Sequence, residues 1–284
     1  MRHMNRFVPA LLTVLFASWT LAQTTAPSTA PALVQGGPGL PLAANPNLPT
    51  LWIIGDSTAS NTANGALGWG TPFAKYFDTT KINVVNRARG GRSSRSFQVE
   101  GLWNSVLEVA KPGDFMILQM GHNDGGDINN RNGRPSLPGT GDESQEITKA
   151  DGTKEVVHTY GWYMRKYITD AKAKGIHIIV ASSVPHLPRE AVQEGAVETR
   201  FAQVAWAEEV AKAMNVPFIH VNKIVLSKYV GMDPQEVRTK YFTPPGDGTH
   251  TNPVGADLNA QCVVEGIKMQ KDLALNKYLR EPAQ

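Results

Sequence analysis

The sequence contains a single cysteine, Cys262, so no disulfide can form within the chain and the fold must stand on its hydrophobic core. It has little in the way of long apolar runs. The stretch from Phe7 to Ala22 covers sixteen residues and includes Pro9, short of the roughly 20 needed to cross a bilayer. The pattern Gly-x-Ser-x-Gly does not occur, which removes the nucleophile elbow of α/β-hydrolases. An excess of one charge is missing too. Lys and Arg number 28 against 25 Asp and Glu. Arg2 and Arg6 take two of the 28, leaving 26 against 25 in the remainder. Nothing in that balance suggests nucleic acid.

What is present is ordinary for a globular protein: 284 residues, 41% hydrophobic, 19% charged, enough for one large core or two small ones. Arg2 and Arg6 ahead of the apolar Phe7–Ala22 stretch, which ends in small residues, predict a signal peptide over 1–22. The same stretch could also serve as an uncleaved anchor. With the signal removed, the protein is expected to be exported, periplasmic or extracellular, with no membrane attachment. Residues 23–47 belong to a Pro/Gly/Ala-rich linker. The segment 23–50 has six prolines, three glycines and no charged residue, so it cannot bury a core. The folded domain is expected over 48–284.

Inside that domain, short β-rich runs alternate with amphipathic segments. Leu51–Ile54, Ile82–Val85, Phe115–Leu118, Ile176–Ala181 and Pro217–Val221 read as buried strands, and 69–78, 100–110, 160–174, 199–214 and 253–274 as helices. The alternation predicts an α/β fold with a mainly parallel central sheet and helices on both faces. In such sheets ligands bind beyond the carboxyl ends of the strands. One stretch, 125–157, breaks the rhythm; its end can pair as a hairpin around Asp151-Gly152, and an excursion this long predicts a wall of the substrate groove.

Four strand-end or loop blocks then carry the chemistry: Gly55-Asp56-Ser57-Thr58, Gly90-Gly91-Arg92-Ser93-Ser94-Arg95, Gly121-His122-Asn123-Asp124 and Asp247-Gly248-Thr249-His250. A serine hydroxyl is a weak nucleophile until a base takes its proton, and an imidazole suits neutral pH. Asp247, three residues before His250, can fix the imidazole tautomer. Ser57, Asp247 and His250 are therefore the candidate catalytic groups. The oxyanion of an acyl-transfer intermediate needs donors, and the Ser57 N–H, the Gly91 N–H and the Asn123 amide can supply three. Each block alone is weak; the weight lies in all four occurring in this order.

With these residues in place, the chain resembles the SGNH or GDSL hydrolases, whose blocks supply Ser, Gly, Asn and His, here Ser57, Gly91, Asn123 and His250. Within them it is similar to rhamnogalacturonan acetylesterases. The likeness is carried by Gly55-Asp56-Ser57-Thr58-Ala59, Gly68-Trp69-Gly70, Gly91-Arg92-Ser93-Ser94-Arg95-Ser96, Gly121-His122-Asn123-Asp124-Gly125-Gly126, Thr159-Tyr160-Gly161-Trp162-Tyr163 and Asp247-Gly248-Thr249-His250-Thr251. The resemblance implies a flavodoxin-like three-layer α/β/α fold and a serine esterase that removes acetyl groups from pectic polysaccharide, with no metal or cofactor. The stretch 184–200 fits none of these blocks.

Arg87, Arg89, Arg92 and Arg95 cluster around Gly91, with no acid between Asp78 and Glu100. Arg92 and Arg95 are the candidates for holding galacturonate carboxylates, and His122 for a further substrate contact. A solvated or internally paired face is the alternative. His158, His177, His186 and His220 read as structural or surface groups, Trp69 and Trp162 as core, and Cys262 as a buried small hydrophobe. A monomer acting on an acetylated acidic polysaccharide is the expectation. Two other classes stay open: a two-metal phosphoesterase using Asp56, His122, Asp124 and His250, and a carbohydrate-binding protein without catalysis.

Overall fold

The central sheet is laid down by five runs that bury nearly everything they carry. In the computed structural model, which describes residue 1, residues 40–243 and residues 246–280, β1 (Thr50–Gly55) is buried along its whole length. A strand covered on both faces has no polar face to offer, which is why it reads as a continuous apolar run. β2 (Asn83–Asn86), β3 (Phe115–Gln119), β6 (His177–Ala181) and β7 (Phe218–Ile219) complete the sheet in the order β2-β1-β3-β6-β7, and every pairing is parallel. Counting these five alone, the order is 2-1-3-4-5, that of a flavodoxin-like doubly wound sheet.

Side-chain alternation along each strand sorts the core into two layers. Leu51, Ile53, Phe115, Ile117, Ile179 and Ala181 face one side, packed with residues of α5 (Val221–Ser227) and α7 (Pro253–Met269). Trp52, Ile54, Met116, Leu118, Ile178 and Val180 face the other, against α1 (Ser94–Val99), α2 (Leu102–Val109), α3 (Tyr160–Ala173) and α4 (Gln203–Ala213). The result is the expected three-layer α/β/α arrangement. A short α6 (Pro234–Tyr241) packs beside α7. β4 (Ser144–Thr148) and β5 (Lys154–His158) form a separate antiparallel hairpin, with Ile147 opposite Glu155, around the Asp151-Gly152 turn.

Several boundaries shift. Segment 69–78 is not a helix: only Phe73–Tyr76 makes a 3-10 turn. Its helical periodicity comes from Trp69, Phe73 and Phe77, which meet edge to face with ring centroids 5.1 Å apart in each pair, while Gly70 and Pro72 deny the segment a regular helix. β7 is two residues long because Val221 already begins α5. Helices α1, α5 and α6 are additional to the expected set. The N-caps of α1 (Ser93, in a capping box with Ser96) and α6 (Asp233 before Pro234) carry sequence signatures of their own.

The domain also begins earlier than residue 48. The Asn45 N–H donates to Asn83 Oδ1 at 3.0 Å, and the Asn83 amide returns a bond to the Asn45 carbonyl at 2.8 Å, so the last part of the 23–47 segment is pinned to β2. The expected signal peptide 1–22 and most of that linker lie outside the described residues. Among the described residues no helix is long and apolar enough to cross a membrane.

Candidate active site

Ser57 sits two residues past the end of β1, where the chain leaves the sheet at its carboxyl edge. Asp56 shapes that turn: its Oδ1 accepts the Thr58 N–H at 2.8 Å and the Thr58 hydroxyl at 2.7 Å. On the far side of the chain, Asn252 caps α7 by accepting the Gly255 N–H at 3.0 Å, with Pro253 in the first helical turn. The loop ahead of this capped helix carries Asp247 and His250.

The two loops meet. His250 Nε2 stands 2.8 Å from Ser57 Oγ, and His250 Nδ1 stands 2.7 Å from Asp247 Oδ2. Asp247 Oδ1 meanwhile accepts the backbone N–H groups of Thr249 (2.8 Å) and His250 (3.0 Å). Burial opposes ionisation of Asp247, but these two N–H groups and the imidazole outweigh it and hold the carboxyl below its ordinary value. An ionised carboxylate fixes Nδ1 as the protonated nitrogen, which leaves the Nε2 lone pair facing the serine hydroxyl.

The chain after β2 passes beside the serine, where a Cβ on Gly90 would lie 3.7 Å from Ser57 Cβ. Gly91 has φ +75°, a left-handed conformation that suits glycine, and a Cβ there would lie 2.9 Å from Arg134 Nη2. Among the described residues neither the Ser57 N–H nor the Gly91 N–H has a hydrogen-bond partner. Asn123 donates one amide hydrogen to the Arg92 carbonyl at 3.1 Å, and its Oδ1 faces Arg134 Nη1 at 3.5 Å. The second amide hydrogen remains available.

Arg134 is a residue the sequence reading missed. It belongs to the 125–157 excursion and reaches back to the two loops that carry Gly91 and Asn123. Nothing local marks it; only the path of that excursion brings it there.

Three expected substrate contacts need correction. Arg95 lies inside the protein, with 1% of its side chain exposed, because α1 turns it inward. Its guanidinium donates to Glu155 and to the Pro135 carbonyl, each at 2.7 Å, and to the Ile128 carbonyl at 3.2 Å. It clamps the hairpin and cannot reach a ligand. Arg92 is half-buried and internally paired: Nε and Nη2 meet Glu100 Oε2 at 2.8 and 2.7 Å, and Nη1 donates to the Gly90 carbonyl at 3.1 Å. His122 is buried between Asp56 Oδ2 (3.1 Å) and the Val184 carbonyl (3.0 Å).

Both ring nitrogens of His122 thus face acceptors, which requires an imidazolium. Burial opposes charge on both partners, but their mutual attraction wins, lowering Asp56 and raising His122 relative to their ordinary values. This pair ties the serine loop to the chain after β6.

Asp124 is buried and accepts the Ser94 N–H and hydroxyl and the Ser136 hydroxyl. Burial pushes its carboxyl up to about 6 against those bonds, with the Asp56 charge adding to the rise. A carboxyl raised from 3.8 makes the native state bind more protons than the unfolded chain between pH ~4 and ~6, so its contribution to stability falls as pH rises through that window. Relative to Asp124→Asn, which cannot titrate, the unfolding free energy of the wild type should drop by up to about 3 kcal/mol from pH 4 to pH 7. Urea unfolding of both proteins across that range is the check. Parallel pH profiles would refute the assignment.

The set a two-metal centre would draw on does not converge. Asp56 and His122 are engaged with each other, Asp124 with Ser94 and Ser136, and His250 with Ser57 and Asp247. Among the described residues no group of three or more His, Cys, Asp or Glu is placed to hold a metal ion.

A serine–imidazole–carboxylate relay at the carboxyl edge of a doubly wound parallel sheet defines a class, the serine-type hydrolases of carboxylic esters. The chain belongs to the GDSL-like lipase/acylhydrolase family, whose model matches residues 53–258. It is 32% identical over 230 residues to a rhamnogalacturonan acetylesterase of Emericella nidulans, covering 81% of this chain and 89% of that one. It is 30% identical to a probable rhamnogalacturonan acetylesterase of Bacillus subtilis, covering 77% of this chain and 92% of the relative. The crystal structure of the Bacillus subtilis protein YXIM matches with a TM-score of 0.63 at 23% identity, over 79% of this chain and 57% of that one. This chain therefore spans little more than half the length of that protein. It is a carboxylic ester hydrolase.

Proposed function

We propose that this protein is a serine esterase that removes acetyl groups from a plant cell-wall polysaccharide, with the rhamnogalacturonan of pectin as substrate. The observation that carries the reading is the continuous relay of 2.8 and 2.7 Å contacts from Ser57 through His250 to Asp247. The acetyl specificity rests on the curated relatives, which match along most of both chains.

Ser57 Oγ attacks the acetyl carbonyl while His250 Nε2 takes its proton. The carbonyl oxygen gains negative charge and receives hydrogen bonds from the Ser57 N–H, the Gly91 N–H and the Asn123 amide. Such donors are typically worth about 10²–10³ each in rate. His250 then protonates the departing sugar hydroxyl, leaving an acetyl ester on Ser57. Water, deprotonated by His250, cleaves that ester and releases acetate. Asp247 stabilises the imidazolium in both halves. The chemistry uses no metal or cofactor.

Arg2, Arg6 and the Phe7–Ala22 stretch act as the export leader in this reading, and the mature enzyme works as a monomer in the periplasm or outside the cell.

The test is acetate release from a panel of acetylated polymers, with p-nitrophenyl acetate as the generic ester. Acetylated rhamnogalacturonan should exceed acetylated xylan and homogalacturonan by about tenfold or more in kcat/KM. Equal rates on all three polymers would overturn the substrate assignment, and acetate release abolished by a chelator would overturn the metal-free mechanism.

A further inference from the structure

The stretch 184–200, which fits no block of the family resemblance, lies against the loop that carries Asp247 and His250. The Leu187 N–H donates to the Gly248 carbonyl at 2.7 Å, binding the two segments together. Between them and the start of α6 lies a cleft of about 470 Å³. His186, Arg189, Arg200, Arg238, Gly248 and Thr249 are among the residues that line it, and no carboxylate does. Thr249 is the immediate neighbour of His250, so this cleft adjoins the site of ester cleavage.

The charges in the cleft are not all neutralised. Arg200 is paired with Glu198 at 2.9 Å, and Glu198 also holds His186. Burial lowers the affinity of His186 for a proton, against the pull of Glu198, so this ring is neutral at pH 7. Arg189 is exposed, and among the described residues neither it nor Arg238 forms an ion pair. Arg238 Nη1 is buried without a hydrogen-bond partner. Asp233 is occupied in capping α6 through the Gln235 N–H at 2.7 Å, and Glu236 of the same helix forms no ion pair with either arginine among the described residues. Two guanidinium groups therefore present uncompensated charge to one cleft. A guanidinium fork matches the planar, bidentate geometry of a carboxylate, and a buried unsatisfied donor raises the benefit of a partner.

We propose that this cleft is a carboxylate subsite, in which Arg189 and Arg238 take the carboxylate of an acidic sugar residue flanking the acetylated one. The proposal rests on the polysaccharide acetylesterase reading and adds to it the place where the acidic residue is held. It also relocates that role from Arg92, which is paired with Glu100, and Arg95, which is buried, to the cleft beside Thr249. Arg189 and Arg238 are specificity residues here and touch no reacting atom.

The experiment compares the wild type with Arg189→Gln, Arg238→Gln and the double variant. In a binding arm, calorimetry uses deacetylated oligosaccharides of alternating galacturonate and rhamnose, which cannot turn over. The double variant should bind them about tenfold or more weakly, and the wild-type affinity should fall with added salt. In a kinetic arm, KM for acetylated rhamnogalacturonan should rise about tenfold, with no change on the same polymer after its carboxyl groups are reduced or on p-nitrophenyl acetate. An unchanged affinity and KM in the double variant would overturn the subsite, as would equal losses on the acidic and reduced polymers. Should the wild type bind the oligosaccharides through these arginines yet release no acetate from the acidic polymer, the esterase reading fails and the subsite stands. Acetate release with no arginine dependence sinks the subsite alone.

Discussion

Ser57→Ala should leave a folded protein whose turnover on p-nitrophenyl acetate and on acetylated polysaccharide falls by about 10⁴–10⁶-fold, the range seen when a hydrolase loses its nucleophile. Only the hydroxyl is removed, and among the described residues its hydrogen bond is the one to His250 Nε2. The turn around it is held by the Asp56–Thr58 bonds and by the Asp56–His122 pair, none of which uses Ser57 Oγ. Thermal unfolding should therefore stay close to that of the wild type while the rate collapses. A purified Ser57→Ala protein hydrolysing esters within tenfold of the wild type would reject the assignment of the nucleophile.

Asp247→Asn should cost about 10⁴-fold in kcat at neutral pH, a comparable loss by a different route. An asparagine oxygen can still accept the Thr249 and His250 N–H groups that Asp247 Oδ1 holds, so the loop survives. Its NH₂ would then face His250 Nδ1, favouring the tautomer with the proton on Nε2. That nitrogen could no longer accept the proton of Ser57. Because the Asp247 carboxyl is held below its ordinary value, it stays ionised well into acid. The acid limb of the wild-type pH–rate profile should accordingly show no step from Asp247. A variant retaining more than a tenth of wild-type kcat, with an unaltered pH profile, would show that the carboxylate does not orient the base.

Much of the fold was legible because the physics was local. Thr50–Gly55 and Phe115–Gln119 announce themselves as buried parallel strands, since both faces of each are covered and every position selects an apolar or paired side chain. The hairpin around Asp151-Gly152 follows from two β-rich runs and a turn dipeptide. The 69–78 segment misleads because three aromatic residues at helical spacing pack on one another in a non-helical chain. Helices α1 and α6 have caps that were readable, while α5 begins directly at a two-residue strand and leaves no boundary to read.

The site divides the same way. The serine, glycine, asparagine and histidine blocks stand out because each fills a strand end or loop with residue types the chemistry needs. The partners of the arginines do not stand out. Whether Arg92 and Arg95 face solvent or the interior depends on Glu100, Glu155 and the Pro135 carbonyl, the last two 60 and 40 residues from Arg95. Arg134 and the cleft holding Arg189 and Arg238 likewise arise from segments that meet only after folding.

The sequence by itself determined the parallel doubly wound sheet and which side chains could do acyl transfer, because periodicity and residue chemistry are properties of neighbours along the chain. Tertiary structure alone decided which charges are spent inside the protein and which remain for a ligand. Charge compensation depends on distance in space, and no spacing along the sequence reports it.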